Sequence, residues 1–274
     1  MTYYGTVFEM TITQKPIFKL IFPLVVFFLV FVVLTPHFTS NFMDLRHKEE
    51  ELAVKAAMEK AEKMIYLTGH FDPAQKENFV AVAPRYNLGP NKIYLRKETY
   101  TAFLDMQTAA EKDGVDLKLA SATRNFEYQK GIWDKKWEGY AAGFPNGGER
   151  FAKILEYSAV PGTSRHHWGT DIDINGASPE YFEGEAGSKV YAWLTANAPS
   201  FGFCQTYTKR NPERTAGYNE EKWHWSYLPL ARDFTKEYKN LIKEENITGF
   251  AGDEYVKDFD LINNYVLSIN PNCI

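Results

Sequence analysis

Residues 20–34, LIFPLVVFFLVFVVL, carry no charge and no strongly polar side chain. No other stretch restricts its surroundings as much, because a helix that is apolar all round must be buried in protein or in lipid. With Ile17, Phe18 and Thr35 the run reaches about 19 positions, interrupted by Lys19, close to the ~20 residues that span a bilayer. Lys15 and Lys19 precede it and favour a cytoplasmic N-terminus. An uncleaved anchor and a cleaved secretory signal compete. The continuation, Thr35-Pro36-His37-Phe38, offers no small-x-small cleavage site, so an anchor is expected and secretion after cleavage is the alternative. Both readings put the remainder outside the cytoplasm.

The chain accordingly divides into three parts: an anchor or signal segment over 1–41, a helical stalk over 42–66 and a compact domain over 67–274. The stalk is rich in Ala, Glu, Lys and Leu, with Leu45, Leu52, Ala56 and Ala57 at helical spacing. Helices are expected at 97–112, 148–158, 188–198, 230–245 and 253–268. Short strands are expected at 117–120, 170–174 and 223–227. Helices mixed with short, separated strands indicate an α+β fold, with a small antiparallel sheet flanked by helices.

Composition narrows the function. The 274 residues are 16% aromatic with a net charge of −4, which excludes general disorder and offers no basic surface for nucleic acid. Two cysteines cannot build a four-cysteine zinc cluster, so a metal here must rely on His, Asp and Glu.

Three of the six histidines fall in two short motifs, His166 and His167 in PGTSRHHWGTDIDING and His224 in EEKWHWSY. On strand 170–174, Ile172 and Ile174 point one way and Asp171 and Asp173 the other. Carboxylates projecting together beside an imidazole suit a metal site, since imidazole and carboxylate are the usual non-sulfur ligands of zinc. Hydrogen-bonded histidines beside a polar strand face would give the same pattern without a metal. Asp171 to Gly176 also match the opening of a calcium-binding EF-hand loop, but the twelfth position, which needs Glu, is Phe182. No H-E-x-x-H occurs, which excludes the helical zinc-peptidase arrangement. Glu221 is expected on the turn entering the strand of His224, within reach of a metal-bound water. A strand running from His166 to Asp173 would turn the two to opposite faces, so a bend is required, and Gly169 can supply it. Residue spacing alone does not choose between His166 and His167, or between Asp171 and Asp173.

Ser164-x-His166-x-x-Gly169-x-x-x-Asp173, followed about fifty positions later by Glu221-x-Trp223-His224, resembles the zinc D-alanyl-D-alanine carboxypeptidases of the VanY type. Ser121-Ala122-Thr123-Arg124-Asn125 with Gln129 is similar to that family's Y-R-S…Q segment, and Trp193-Leu194…Asn197-Ala198…Phe201-Gly202-Phe203 to its W-L-x-x-N-A…G-F segment. The resemblance covers about residues 117–227. It implies one zinc ion held by His166, Asp173 and His224, with Glu221 as general base and then acid, and Arg124 polarising the scissile carbonyl. It also implies Ser164, Gln129 and Trp223 at the substrate, and Asp171 and His167 beside the ligands. Gln129 is expected to support the Arg124 loop more than to touch substrate, and Trp223 and Trp168 could equally be core. The family commonly has Ala where Asp171 stands and often Tyr where Thr123 stands.

The implied reaction is removal of the terminal D-alanine from peptidoglycan stem peptides, in the cell envelope of a bacterium. A related peptidoglycan endopeptidase or L,D-carboxypeptidase is the alternative among enzymes, and a non-catalytic zinc-containing wall-binding protein the alternative from another class. The two cysteines, Cys204 and Cys273, would pair in an exported chain, tying the C-terminal tail to the domain; otherwise Cys204 is a buried thiol and the tail frays.

Overall fold

The computed structural model describes the backbone from Phe18 to Ile274 and side chains from Met43 onward. The anchor expected over 17–35 lies outside the residues described with their side chains. Among the described residues, no helix is long and apolar enough to cross a membrane. Two units are distinguished, one ending at Glu59 and the other comprising Lys60–Ile274. Helix α1 is Phe18–Leu67. In the first unit its side chains from Met43 are exposed, and i,i+4 ion pairs such as Arg46–Glu50 (3.7 Å) run along its surface.

The second unit contains, in order, β1 (Phe79–Ala81), β2 (Tyr94–Arg96), α2 (Lys97–Lys112), β3 (Leu119–Ser121), α3 (Phe126–Gly139) and α4 (Gly147–Ile154). These are followed by β4 (Asp171–Ile174), α5 (Pro179–Glu183), α6 (Glu185–Asn197), β5 (Phe203–Gln205), β6 (His224–Tyr227) and α7 (Leu228–Leu241). The architecture is α+β, as expected. β1 and β2 form a hairpin, and a four-stranded antiparallel sheet has the order β3-β4-β6-β5.

One face of the larger sheet is apolar. Ile172 and Ile174 of β4, Phe203 of β5 and Trp225 of β6 are buried with Phe103 and Met106 of α2 and Trp193 and Leu194 of α6. Each large side chain covered this way contributes about 1.5–3 kcal/mol. A second cluster gathers Trp133 of α3, Phe151 of α4, Trp168, and Tyr238 of α7. Asp171 and Asp173, on the face opposite the two isoleucines, are themselves fully or almost fully buried. A strand buried on both faces with carboxylates on one of them needs partners for those carboxylates, and this requirement defines the site.

Three expectations change, the simplest being the helix expected over 230–245, which ends at Leu241. The helix expected over 253–268 is instead a 3₁₀ segment, Asp253–Asp258, and a wide helical turn, Ile262–Val266. Asp260 between them has φ of +45°, a left-handed conformation that no right-handed helix can pass through. The segment read as helical to residue 158 ends at Ile154. The chain beyond it turns to carry Ser158 and Val160 inward, both of which are buried. The C-terminal tail is fixed by a Cys204–Cys273 disulfide, with a Cα–Cα distance of 5.7 Å.

Candidate metal centre

The antiparallel register of β4 and β6 sets Asp173 directly opposite His224 and Asp171 opposite Ser226. Directly opposed residues put their Cβ atoms ~4.5–5.5 Å apart on one face, so the pairing brings the Asp173 carboxylate to the His224 ring, while Asp171, diagonal to it, reaches the ring's far nitrogen. His166 arrives differently. It lies on a 3₁₀ turn, Arg165–Trp168, closed by Gly169 at φ +75°. A Cβ at Gly169 would also sit 2.5 Å from the Phe79 ring, so this bend admits only glycine. The bend required by the His166-to-Asp173 spacing is therefore present, and His166 precedes the strand rather than starting it.

His166, Asp173 and His224 are buried, and one ligand atom from each lies within 4.8 Å of the others. The hydrogen bonds identify the atoms. His166 donates from Nδ1 to the Ala122 carbonyl at 2.7 Å, which leaves the Nε2 lone pair facing Asp173 Oδ1 at 3.3 Å. His224 donates from Nε2 to Asp171 Oδ2 at 2.8 Å, which leaves Nδ1 3.4 Å from Asp173 Oδ1. His166 Nε2 and Asp173 Oδ1 are buried with no hydrogen-bond partner among the described residues. Buried polar atoms are rarely left in that state, and a cation between them would satisfy both.

Charge distribution agrees. Burial and the Arg124 charge lower the pKa of His166, keeping its imidazole neutral as a ligand must be. Burial opposes ionisation of Asp171 and Asp173, yet Arg165 and His224 around the first, and His166, His224 and Arg124 around the second, hold both below the usual carboxylate range. Burial would lower His224, but hydrogen bonds to Asp171, Asp173 and Glu221 outweigh it and raise its pKa well above the usual value. Three carboxylates converging on one imidazole favour positive charge there, a proton on the His224 ring when no metal is bound, and a bound cation would take that proton's place.

Glu221 lies on the turn before β6, 5% exposed, with Oε2 3.4 Å from His224 Nδ1. Burial raises its pKa. Arg124 Nη1 is held by Ser121 Oγ at 3.2 Å and Asp173 Oδ2 at 3.4 Å. These groups line one cleft of about 170 Å³, together with Ser164, Gln129 and Trp223. Gln129 also donates to the Ala159 carbonyl at 2.7 Å. Trp168 is core, its indole donating to the Leu67 carbonyl at 3.1 Å.

The chain matches the family described as VanY, D-alanyl-D-alanine carboxypeptidase, over residues 92–230. It belongs to the VanY family. A D-alanyl-D-alanine carboxypeptidase of Enterococcus faecalis is 34% identical over 141 residues, covering 52% of this chain and 51% of that protein. YodJ of Bacillus subtilis, which bears a carboxypeptidase name, is 37% identical over 159 residues, covering 57% and 52%. The chain thus spans about half the length of these relatives. Among solved structures, a vancomycin-resistance D,D-pentapeptidase VanY in complex with Zn(II) aligns at 29% identity over 64% of this chain and 93% of that one, with a TM-score of 0.44.

Within this VanY-family chain, two residues expected beside the ligands differ in what they do. Asp171 does touch one, His224, and is saturated. Its Oδ2 also accepts from Arg165 Nε at 3.2 Å, and its Oδ1 from Thr170 Oγ1 (2.7 Å) and Ser226 Oγ (2.8 Å). His167 hydrogen-bonds none of the three. Its Nδ1 donates to the Arg124 carbonyl at 2.6 Å and its Nε2 accepts from the Gly162 amide at 3.0 Å. It therefore braces the backbone of Arg124, and burial keeps it neutral with a pKa of about 3. Arg165, absent from the motif reading, lies under the site with its guanidinium stacked 4.5 Å from Trp168. Its position one residue before His166 was visible, but an arginine in a turn gives no sign that it will be buried against an aspartate.

Proposed function

We propose that the chain is an exported zinc carboxypeptidase that removes the terminal D-alanine from peptidoglycan stem peptides ending in D-Ala-D-Ala. The observation that carries this reading is the pair of buried, partnerless atoms, His166 Nε2 and Asp173 Oδ1, with His224 Nδ1 and Glu221 beside them. Ligands ~2.0–2.1 Å from a tetrahedral zinc lie ~3.3 Å from one another. The 3.3 Å and 3.4 Å separations to Asp173 Oδ1 would suit donors sharing one such ion. Two imidazoles and one carboxylate would form a three-donor set of the kind that holds a catalytic rather than a structural zinc. Family membership and the carboxypeptidase relative support the substrate class.

When bound, the zinc supplies Lewis acidity that brings the pKa of a water from ~15.7 to about 7. Glu221 takes the proton of the attacking water and returns it to the leaving amine of D-alanine, without a covalent intermediate. Burial raises its pKa, which makes the carboxylate a stronger acceptor in the first half of that transfer. Arg124, fixed by Ser121 and Asp173, faces the developing oxyanion, a role worth about 3 kcal/mol by analogy with oxyanion-hole donors. Ser164, Gln129 and Trp223 position the peptide in the cleft. Asp171 holds the tautomer of His224 that presents Nδ1. Residues 1–41 tether the domain to the membrane through the apolar run and 42–66 raise it as a stalk, so that 67–274 face the periplasm or cell wall.

Purified muropeptides digested with the zinc-loaded protein test the reading through product masses. Loss of one alanine from pentapeptides is expected. Cleaved dimers would point instead to an endopeptidase, alanine loss from tetrapeptides alone to an L,D-carboxypeptidase, and no product with zinc retained to a wall-binding protein.

A further inference from the structure

A carboxypeptidase distinguishes a chain end from an internal peptide by its free carboxylate, so its cleft needs a cation not committed elsewhere. Three basic side chains line the cleft: Arg124, Lys136 and Arg165. Arg165 is 1% exposed and is occupied by Asp171, Thr235 Oγ1 at 2.8 Å and Ser226 Oγ at 3.1 Å. Arg124 is tethered to Asp173. Lys136 remains. Its Nζ donates to Ser158 Oγ, and among the described residues no carboxylate lies within 4.0 Å of it.

Its placement follows from the helix. Gln129, Ile132 and Lys136 of α3 are spaced three and four residues apart, so they share one face, and all three line the cleft. Ser158 is 7% exposed and approaches from the chain that follows α4. Because Lys136 donates to the Ser158 oxygen, the serine proton is left free to donate to a ligand. An ammonium and a hydroxyl proton side by side, half out of water, match the two acceptor oxygens of a carboxylate. Burial lowers the pKa of Lys136 while the Glu221 charge opposes that, so the ammonium sits at moderate depth within the field of the catalytic acid.

We propose that Lys136 and Ser158 form a carboxylate-binding subsite, occupied by the terminal carboxylate of the alanine that is released. The proposal rests on the carboxypeptidase reading and adds the group that selects chain ends. An acidic side chain further up the peptide offers the same chemistry, and the test separates the two sources.

Binding and turnover are measured on the zinc-loaded protein, wild type, Lys136→Met and Lys136→Arg. The probes are acylated peptides ending in D-Ala-D-Ala or L-Ala-D-Ala, each as the free acid and as the C-terminal amide, without and with a glutamate upstream. Wild type is expected to bind acid over amide, and Lys136→Met to weaken acid binding about 10–100-fold, the size of one charged hydrogen bond. The loss should appear in KM more than kcat, amide binding should be unchanged, and Lys136→Arg should recover most of it. If this pattern holds for the L,D peptide while D,D peptides neither bind nor turn over, the substrate assignment fails and the subsite stands. No acid-over-amide preference in wild type, equal loss of acid and amide in Lys136→Met, or sensitivity to the upstream glutamate alone would overturn the terminal-carboxylate site.

Discussion

Asp171 lies beside His224, and the structure gives it two separable tasks. It accepts the Nε2 proton of His224, and it neutralises Arg165, a cation with no exposed side-chain surface. Asp171→Ala removes both. An uncompensated buried charge costs about 3–5 kcal/mol, a large part of the stability of a domain this size. Loss of the acceptor behind a ligand imidazole lowers metal affinity about 10–100-fold. Arg165→Met in the same chain removes the stranded charge and keeps an unbranched side chain against Trp168. The double variant should therefore regain most of the stability, and the zinc affinity should stay low. Urea unfolding in the presence of chelator gives the first quantity, and competition with a chromophoric chelator gives the second. Recovery of zinc affinity together with stability would refute the separation, because Asp171 would then act only through the fold. An unaltered midpoint in Asp171→Ala would refute the buried-charge argument itself.

His166→Ala, Asp173→Ala and His224→Ala should each lose zinc and turnover together, whereas Glu221→Gln should retain zinc by elemental analysis and lose most turnover, since an amide cannot accept the proton of water. Arg124→Ala should keep zinc and lower kcat more than it raises KM. Reducing the Cys204–Cys273 bond, which spans 69 positions, should cost about 4 kcal/mol in the chain-entropy picture; an identical denaturation midpoint with and without reductant would contradict it. Tyr66 donates to the Trp168 carbonyl at 2.6 Å, and burial raises its pKa to about 12 against ~10 unfolded. The unfolded chain releases that proton first, so the tyrosine's contribution is complete below pH ~10 and falls by at most about 2–3 kcal/mol as pH rises towards 12. Tyr66→Phe should lack this part of the alkaline slope, and parallel slopes for the two proteins would count against it.

Much of the fold was legible where periodicity and function coincide. Phe103, Met106 and Ala110 marked α2 because they lie on its buried face, and the alternation of Asp171 to Ile174 marked β4 because its two faces meet different surroundings. β1, β2 and β5 were not recognised as strands, since in these three-residue strands apolar residues do not alternate cleanly with polar ones, whereas the equally short β3 lies in the alternating run 117–120. Helix α3 was missed for a different reason. Its buried residues, Phe126, Gln129 and Trp133, include the polar Gln129, which shares with Lys136 the face that lines the cleft, so no simple apolar stripe identifies it. The break at Asp260 was hidden because an aspartate tolerates the left-handed conformation without a glycine to announce it.

The choice among adjacent histidines and alternating aspartates needed three-dimensional information, and hydrogen-bond satisfaction supplies it. Asp171 and Asp173 share a strand face and are equally buried, so neither pattern nor burial separates them. Every oxygen of Asp171 is taken, by Arg165, Thr170, Ser226 and His224. Asp173 keeps Oδ1 without a partner. The histidines divide in the same way: both ring nitrogens of His167 are used by backbone, while His166 spends Nδ1 on Ala122 and leaves Nε2 unpaired. A buried acceptor left unpaired costs about 1–3 kcal/mol unless something binds it. The fold retains two such atoms 3.3 Å apart, beside a third ligand atom whose ring is locked by a carboxylate. That pattern supports His166, Asp173 and His224 as the proposed ligand set, with His167 bracing the arginine loop and Asp171 the His224 ring.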